Sequence, residues 1–265
     1  MQIWILVFLG VLGAILGSFL NALSFRFNTG KTLGGRSRCM HCNHTLSAFD
    51  LIPILSYVFL RGRCRYCHAR ISIQYPLVEG AAALLAVGMY IVHPEPLAYG
   101  FWLLVSLVLL FIVVYDARHT IIPTSASVSL GILALLSLFI EFGEGISFML
   151  PTLGEVLAGP LLALPLLLLS LVSGGKWMGW ADSGLELSLG WLLGISLGAT
   201  ALMIAFWAGA FVGVFLILFL NAWQRGKKHL TMRSEVPFAP FLVFGALFVH
   251  FFHVNFFSTL LYLWQ

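Results

Sequence analysis

Long apolar stretches follow one another along this chain with only short polar breaks between them. They lie near 3–25, 76–92, 98–115, 125–141, 149–173, 185–198, 200–222 and 237–262. A helix needs roughly 17–20 apolar residues to cross a bilayer. The pattern therefore predicts an all-α polytopic membrane protein with about eight transmembrane helices. The sixth stretch is short and abuts the seventh, so their boundary is the least defined. The first stretch has no basic residue before its apolar run and exceeds the usual h-region of a leader. It reads as a retained span with Arg26 after it.

Composition agrees. Of 265 residues, 60% are hydrophobic and 9% charged, with a mean hydropathy of +1.00. A soluble domain would be about a quarter charged. Lipid is the solvent for most of this chain.

Eight of the fourteen Lys and Arg residues fall in 26–70. Arg118 follows the third span and Lys176 the fifth, and Arg225, Lys227, Lys228 and Arg233 follow the seventh. With eight spans, all of these share one face, which the positive-inside rule makes cytoplasmic. Both termini then point outward. The net charge of +4 implies anionic lipid rather than nucleic acid as the partner.

One polar island interrupts the pattern, "RCMHCNHTLSAFDLIPILSYVFLRGRCRYCHARI" at 38–71. It holds Cys39-x2-Cys42, a 21-residue gap, and Cys64-x2-Cys67. Paired knuckles of this kind converge four sulfurs on a zinc ion. Arg38, Arg63 and Arg65 favour thiolates, and a cytosolic loop disfavours disulfides. Two redox-active pairs and free thiols are the other readings. With four thiolates the zinc would be structural, stapling a loop too small for a core of its own. The expected architecture thus includes a small cytoplasmic zinc-stapled loop domain over 26–74.

Acids inside or at the edge of spans are costly and mark function by default. They are Glu79, Asp116, Glu155, Asp182 and Glu186, with Asp50 in the loop. Asp116 lies in "IVVYDARHTIIP" and Asp182 in "KWMGWADSGLELSLGWLLG", both at the cytoplasmic edge by the charge count. Two carboxylates held close together share one proton. The ionised member can deprotonate a water while the protonated member polarises a carbonyl, which hydrolyses an amide without a covalent intermediate. Alternatively each caps a helix or pairs with Arg118 or Lys176. His119 would either tune Asp116 or lie at the surface. Small residues at Gly10, Gly13, Ala14, Gly17 and Ser18 suit close helix packing, internal or between subunits.

Taken together, several stretches resemble the type IV prepilin peptidases, a family of bifunctional membrane aspartic proteases. They are "GSFLNALSFR", "CMHC", "DLIPILSY", "LRGRCRYC", "ISIQYPLVEG", "YDARHTIIP", "MGWADSGLELSLGWLLG" and "VPFAPFLVFGA". The resemblance implies cleavage of a short basic leader from pilin-like precursors at the cytoplasmic face of the bacterial inner membrane. N-methylation of the new N-terminus with S-adenosylmethionine follows. It casts Asp116 and Asp182 as catalytic and Cys39, Cys42, Cys64 and Cys67 as zinc ligands. It divides the chain into a methyltransferase-like region 1–95, a peptidase domain 96–225, and a turn with the last helix over 226–265. A basic leader gains nothing from a basic face by long-range steering. Binding then leans on the precursor's apolar helix, with help from Asp50, Glu79, Glu186 or Glu235.

The chain departs from the family's G-x-G-D-x-K-L segment at Ala181 and Gly184. If the family Gly needs a positive φ, Ala costs about 1–2 kcal/mol there. One competing reading is therefore a relative with impaired proteolysis, acting as a methyltransferase or pilin assembly factor. Another is a proton-coupled transporter, although the chain lacks the internal symmetry of paired halves. No internal repeat is evident.

Overall fold

A computed structural model describes residues 2–28, 34–142, 145–223 and 237–257. It divides into two compact units, Met1–Val114 and Tyr115–Gln265. Among the described residues, five helices are long and apolar enough to cross a membrane, and two shorter apolar helices accompany them.

In the first unit α1 (Gln2–Arg26) packs on α3 (Gln74–Val92), and the cysteine-bearing loop joins them with a short helix, α2 (Leu55–Phe59). The small-residue stripe is internal. A methyl group on Gly13 or Gly17 would run into the α3 backbone at Ala82, Ala83, Val78 and Glu79. Such close approach is how membrane helices gain packing when water supplies no driving force. Asn21 ties the two helix ends together, its amide donating to the Tyr75 carbonyl at 3.2 Å. Helix α4 (Pro96–His119) carries the chain onward into the second unit.

The second unit continues with α5 (Thr124–Phe139), a hairpin of β1 (Ile140–Phe142) and β2 (Ile146–Phe148), α6 (Leu153–Ser173), α7 (Trp180–Trp223) and α8 (Ala239–Phe252). Thr152 and Glu155 form a capping box at the start of α6. The acid Glu155 is thus a helix cap. Pro160, inside α6, cannot donate to the Val156 carbonyl. The indole N–H of Trp191 donates to that carbonyl instead, at 3.0 Å.

Two span boundaries differ from expectation. The sixth and seventh stretches, expected at 185–198 and 200–222, form one long element broken at Gly194, where φ is 76° and ψ 174°. Only glycine tolerates that region of backbone space. The chain reverses there: a methyl on Gly198 would lie 3.6 Å from Gly190 Cα, whereas eight residues of straight helix span about 12 Å. The arms 180–193 and 195–223 bring the number of apolar helical segments among the described residues to eight, as expected. Helix α8 ends at Phe252 rather than running on toward 262, because His253 adopts a left-handed cap that donates to the Val249 carbonyl; helical backbone resumes at Phe256 and Phe257. Residues 258–265 lie outside the described residues.

Candidate functional site

Each unit holds one constellation. In the first, the two Cys-x2-Cys segments fold into matching knuckles. The Cys39 amide donates to the His44 carbonyl, Asn43 to Cys39, and Leu46 to Ser37. The same three bonds recur as Cys64 to Ala69, His68 to Cys64, and Ile71 to Gly62. Asn43 and His68 both take φ 56°, turning each strand back on itself. The chain therefore does contain a repeat, of backbone rather than sequence, and only the cysteine spacing betrays it.

All four sulfurs lie within 4.8 Å of one another, and those of Cys39 and Cys67 are 3.8 Å apart. A tetrahedron with bonds of about 2.3 Å puts sulfurs about 3.8 Å apart, whereas a disulfide needs about 2.05 Å. All four cysteines are free thiols. The Cys42 backbone amide is the largest influence on the Cys39 thiol, which falls to about 6. The Ala69 amide favours the Cys67 thiolate, but desolvation and the sulfurs of Cys42, Cys64 and Cys39 push that thiol up to about 11. Four crowded thiols cannot all ionise unless a cation sits among them. The residues fit a closed four-thiolate metal site, with His41, His44 and His68 outside the ligand cluster.

The second unit holds both Asp116 and Asp182. Asp116, near the end of α4, is only 4% exposed. Its carboxylate accepts the backbone N–H of Ala239, the first residue of α8, and Oδ2 has no hydrogen-bond partner among the described residues. Asp182 stands in the first turn of α7, where the Gly179 amide donates to Oδ2 at 3.1 Å. The two side chains lie within electrostatic reach of each other. An unpaired, buried carboxylate oxygen is costly. With a second carboxyl in electrostatic reach, it marks a candidate reaction centre. Sequence reading missed the donors, Ala239 and Gly179. The "VPFAP" stretch carries the only signal, Pro240 at the start of a helix.

The remaining acids are accounted for separately. Asp50 is bound by Ser47 and by Arg65, whose Nε is 2.7 Å from Oδ1. Glu79 accepts the Ile54 amide at 2.7 Å and a hydrogen bond from Ser18. Glu186 is 2% exposed and its Oε1 is unpartnered. Glu235 lies outside the described residues. His119 is exposed and rests on the Tyr115 ring at 4.4 Å, so it belongs to the surface. Ala181 lies in α7 and is absent from the residues with positive φ. The cost foreseen for it does not arise.

The profile of the Bacterial Peptidase A24 N-terminal domain matches residues 11–93. The prepilin leader peptidase/N-methyltransferase of Aeromonas hydrophila is 35% identical over 78% of this chain and 68% of its own length. The chain belongs to the prepilin leader peptidase/N-methyltransferase family. The family member of Burkholderia pseudomallei (strain 1026b) is 31% identical over 96% of this chain and 88% of its own. That of Pectobacterium carotovorum subsp. carotovorum is 30% identical over 91% and 90%. No solved structure matches the chain. Like its relatives, this member of the prepilin leader peptidase/N-methyltransferase family is a multi-pass membrane enzyme.

Proposed function

We propose that this enzyme removes the basic leader of type IV prepilin-like and pseudopilin precursors at the cytoplasmic face of the bacterial inner membrane, with Asp116 and Asp182 as its catalytic pair. The observation that supports this reading is that those two carboxyls, 66 residues apart in sequence, lie within electrostatic reach of each other in one compact unit of a chain from this family. The ionised member takes a proton from a water, and the protonated member donates to the scissile carbonyl oxygen. The Ala239 and Gly179 amides orient the carboxyls from the two sides. The precursor's own apolar helix supplies most of the binding, because the basic face offers its leader no long-range attraction.

The family name supports a second activity, N-methylation of the new N-terminus, and S-adenosylmethionine is the methyl donor that the resemblance implies. Cys39, Cys42, Cys64 and Cys67 would hold a structural zinc, leaving it no open position for catalysis. Co-expression with a pilin-like precursor, followed by mass spectrometry of the precursor's N-terminus, tests both activities at once. The expected product is shortened by its leader and heavier by one methyl group. A precursor that keeps its leader overturns the peptidase reading, and a shortened, unmethylated one overturns only the methyl transfer.

A further inference from the structure

The loop between α1 and α3 is the most polar part of the sequence, yet its middle is oily and uncovered. Phe49 is 74% exposed, Val58 63% and Phe59 82%, and Ile52 and Leu55 are exposed beside them. Leu55, Val58 and Phe59 fall at i, i+3 and i+4, which places them on one face of α2. No neighbour among the described residues covers that face.

The loop also sits low. Its Ile54 amide is bonded to Glu79, five residues into α3 and thus about 7.5 Å along the helix from its start. Leu51 and Pro53 share a cavity of about 320 Å³ with Ile15, Ser18 and Phe19. Phe19 precedes the end of α1 by seven residues, or about 10 Å. Both helices are candidate membrane spans, so the segment lies beside their apolar flanks rather than above their ends. Holding it there takes a γ-turn at Ile54, with φ 62°, ψ −51° and a 2.6 Å bond from the Leu55 amide to the Pro53 carbonyl. That conformation is rare and strained for a β-branched residue. The Glu79 carboxylate clamps it.

Charge agrees with the depth. Arg61, Arg63 and Arg70 are exposed just beyond α2. Asp50, the only acid between Arg26 and Gln74, is already paired with Arg65. An apolar face rimmed by unopposed arginines matches the boundary between acyl chains and anionic headgroups.

We infer that residues 49–59 form a wedge seated in the lipid leaflet in which α1 ends, with Phe49, Leu55, Val58 and Phe59 among acyl chains and Arg61, Arg63 and Arg70 at lipid phosphates. The cysteine knuckles bracket this wedge, so metal binding closes the loop that carries it. The inference rests on the loop's depth and exposure and stands apart from the assignment of the aspartates.

The test places the photoreactive p-benzoyl-L-phenylalanine at Phe59 in the full chain, reconstituted in vesicles of phosphatidylethanolamine and phosphatidylglycerol. The same replacement at Phe8, on the exposed flank of α1, sets the yield for a lipid-facing position. After irradiation, intact-mass measurement should show phospholipid adducts at position 59 within about threefold of the Phe8 yield. A lower lipid yield overturns the inference, as does coupling to a second copy of the chain or to a co-reconstituted precursor. Leu55 replaced in the same way gives an equivalent reading if the Phe59 variant does not fold.

Discussion

The knuckle loop and the aspartates face the same problem, placing ionisable groups near one another, and they meet it by opposite means. In the loop every element is local. Each knuckle closes with hydrogen bonds no more than nine residues apart (Leu46 to Ser37, Ile71 to Gly62), and four sulfurs remain for a cation. The aspartates have no such local frame. Asp116 accepts from Ala239, more than a hundred residues on, and Asp182 stands on α7, against which α5, α6 and α8 pack. A metal site can be built where water competes, since each thiolate–metal bond is strong by itself. A pair of carboxyls gains its reactivity from surroundings that exclude water, and those take a whole unit to build.

The contrast breaks most sharply at the aspartates. Asp116→Asn or Asp182→Asn should lower leader cleavage by at least about 10²–10⁴-fold while the purified protein stays folded, as circular dichroism and gel filtration would report. If both variants cleave normally, the pair is structural. Next in size is the metal. Elemental analysis should find about one zinc per chain, and Cys64→Ser should abolish it and open 38–71 to proteolysis, because binding a structural zinc contributes on the order of 10 kcal/mol. Such a variant should keep more cleavage activity than either aspartate variant, and losing as much would mean that the two regions work as one.

Smaller changes sharpen the comparison. Ala181→Gly should leave cleavage within about twofold and cost up to about 1 kcal/mol of helix stability, since Ala181 already has helical geometry. A tenfold gain in rate on a precursor would instead show that the added methyl obstructs substrate. Asp50→Asn should cost about 1–2 kcal/mol of local stability at pH 7, read as faster exchange of the Ser47 amide. Burial works against the Asp50 charge, but the Ser47 hydroxyl and amide, and then Arg65, hold its carboxyl below the usual range. Its folded value is therefore lower than the unfolded one, near 3.9. The stabilisation is complete above that value and disappears as pH falls through the folded one, so the two proteins should converge below roughly pH 4.

Much of this was legible in advance, for reasons that differ by residue. Hydropathy located the spans because lipid forces the backbone to bond to itself within each segment. It misplaced the break in α7 because no polar residue marks it, only the positive φ of Gly194. Glu79 and Glu155 were flagged by the same rule as Asp116, yet one clamps Ile54 and the other caps α6. A lone acid in a span announces only its cost, and its partners are set by packing. The loop looked fully aqueous from its charges, whereas its exposed Phe49, Val58 and Phe59 show an apolar middle.

Lipid as solvent, the number of apolar segments and the convergence of four cysteines were determined by the sequence alone, since each depends on composition or on spacing over a few residues. Tertiary structure decided the rest. It put Asp116 and Asp182 within electrostatic reach, turned α7 back at Gly194, and bonded the loop at Ile54 to Glu79 on α3. Those outcomes depend on contacts between segments far apart along the chain, and such contacts exist only after the helices have packed.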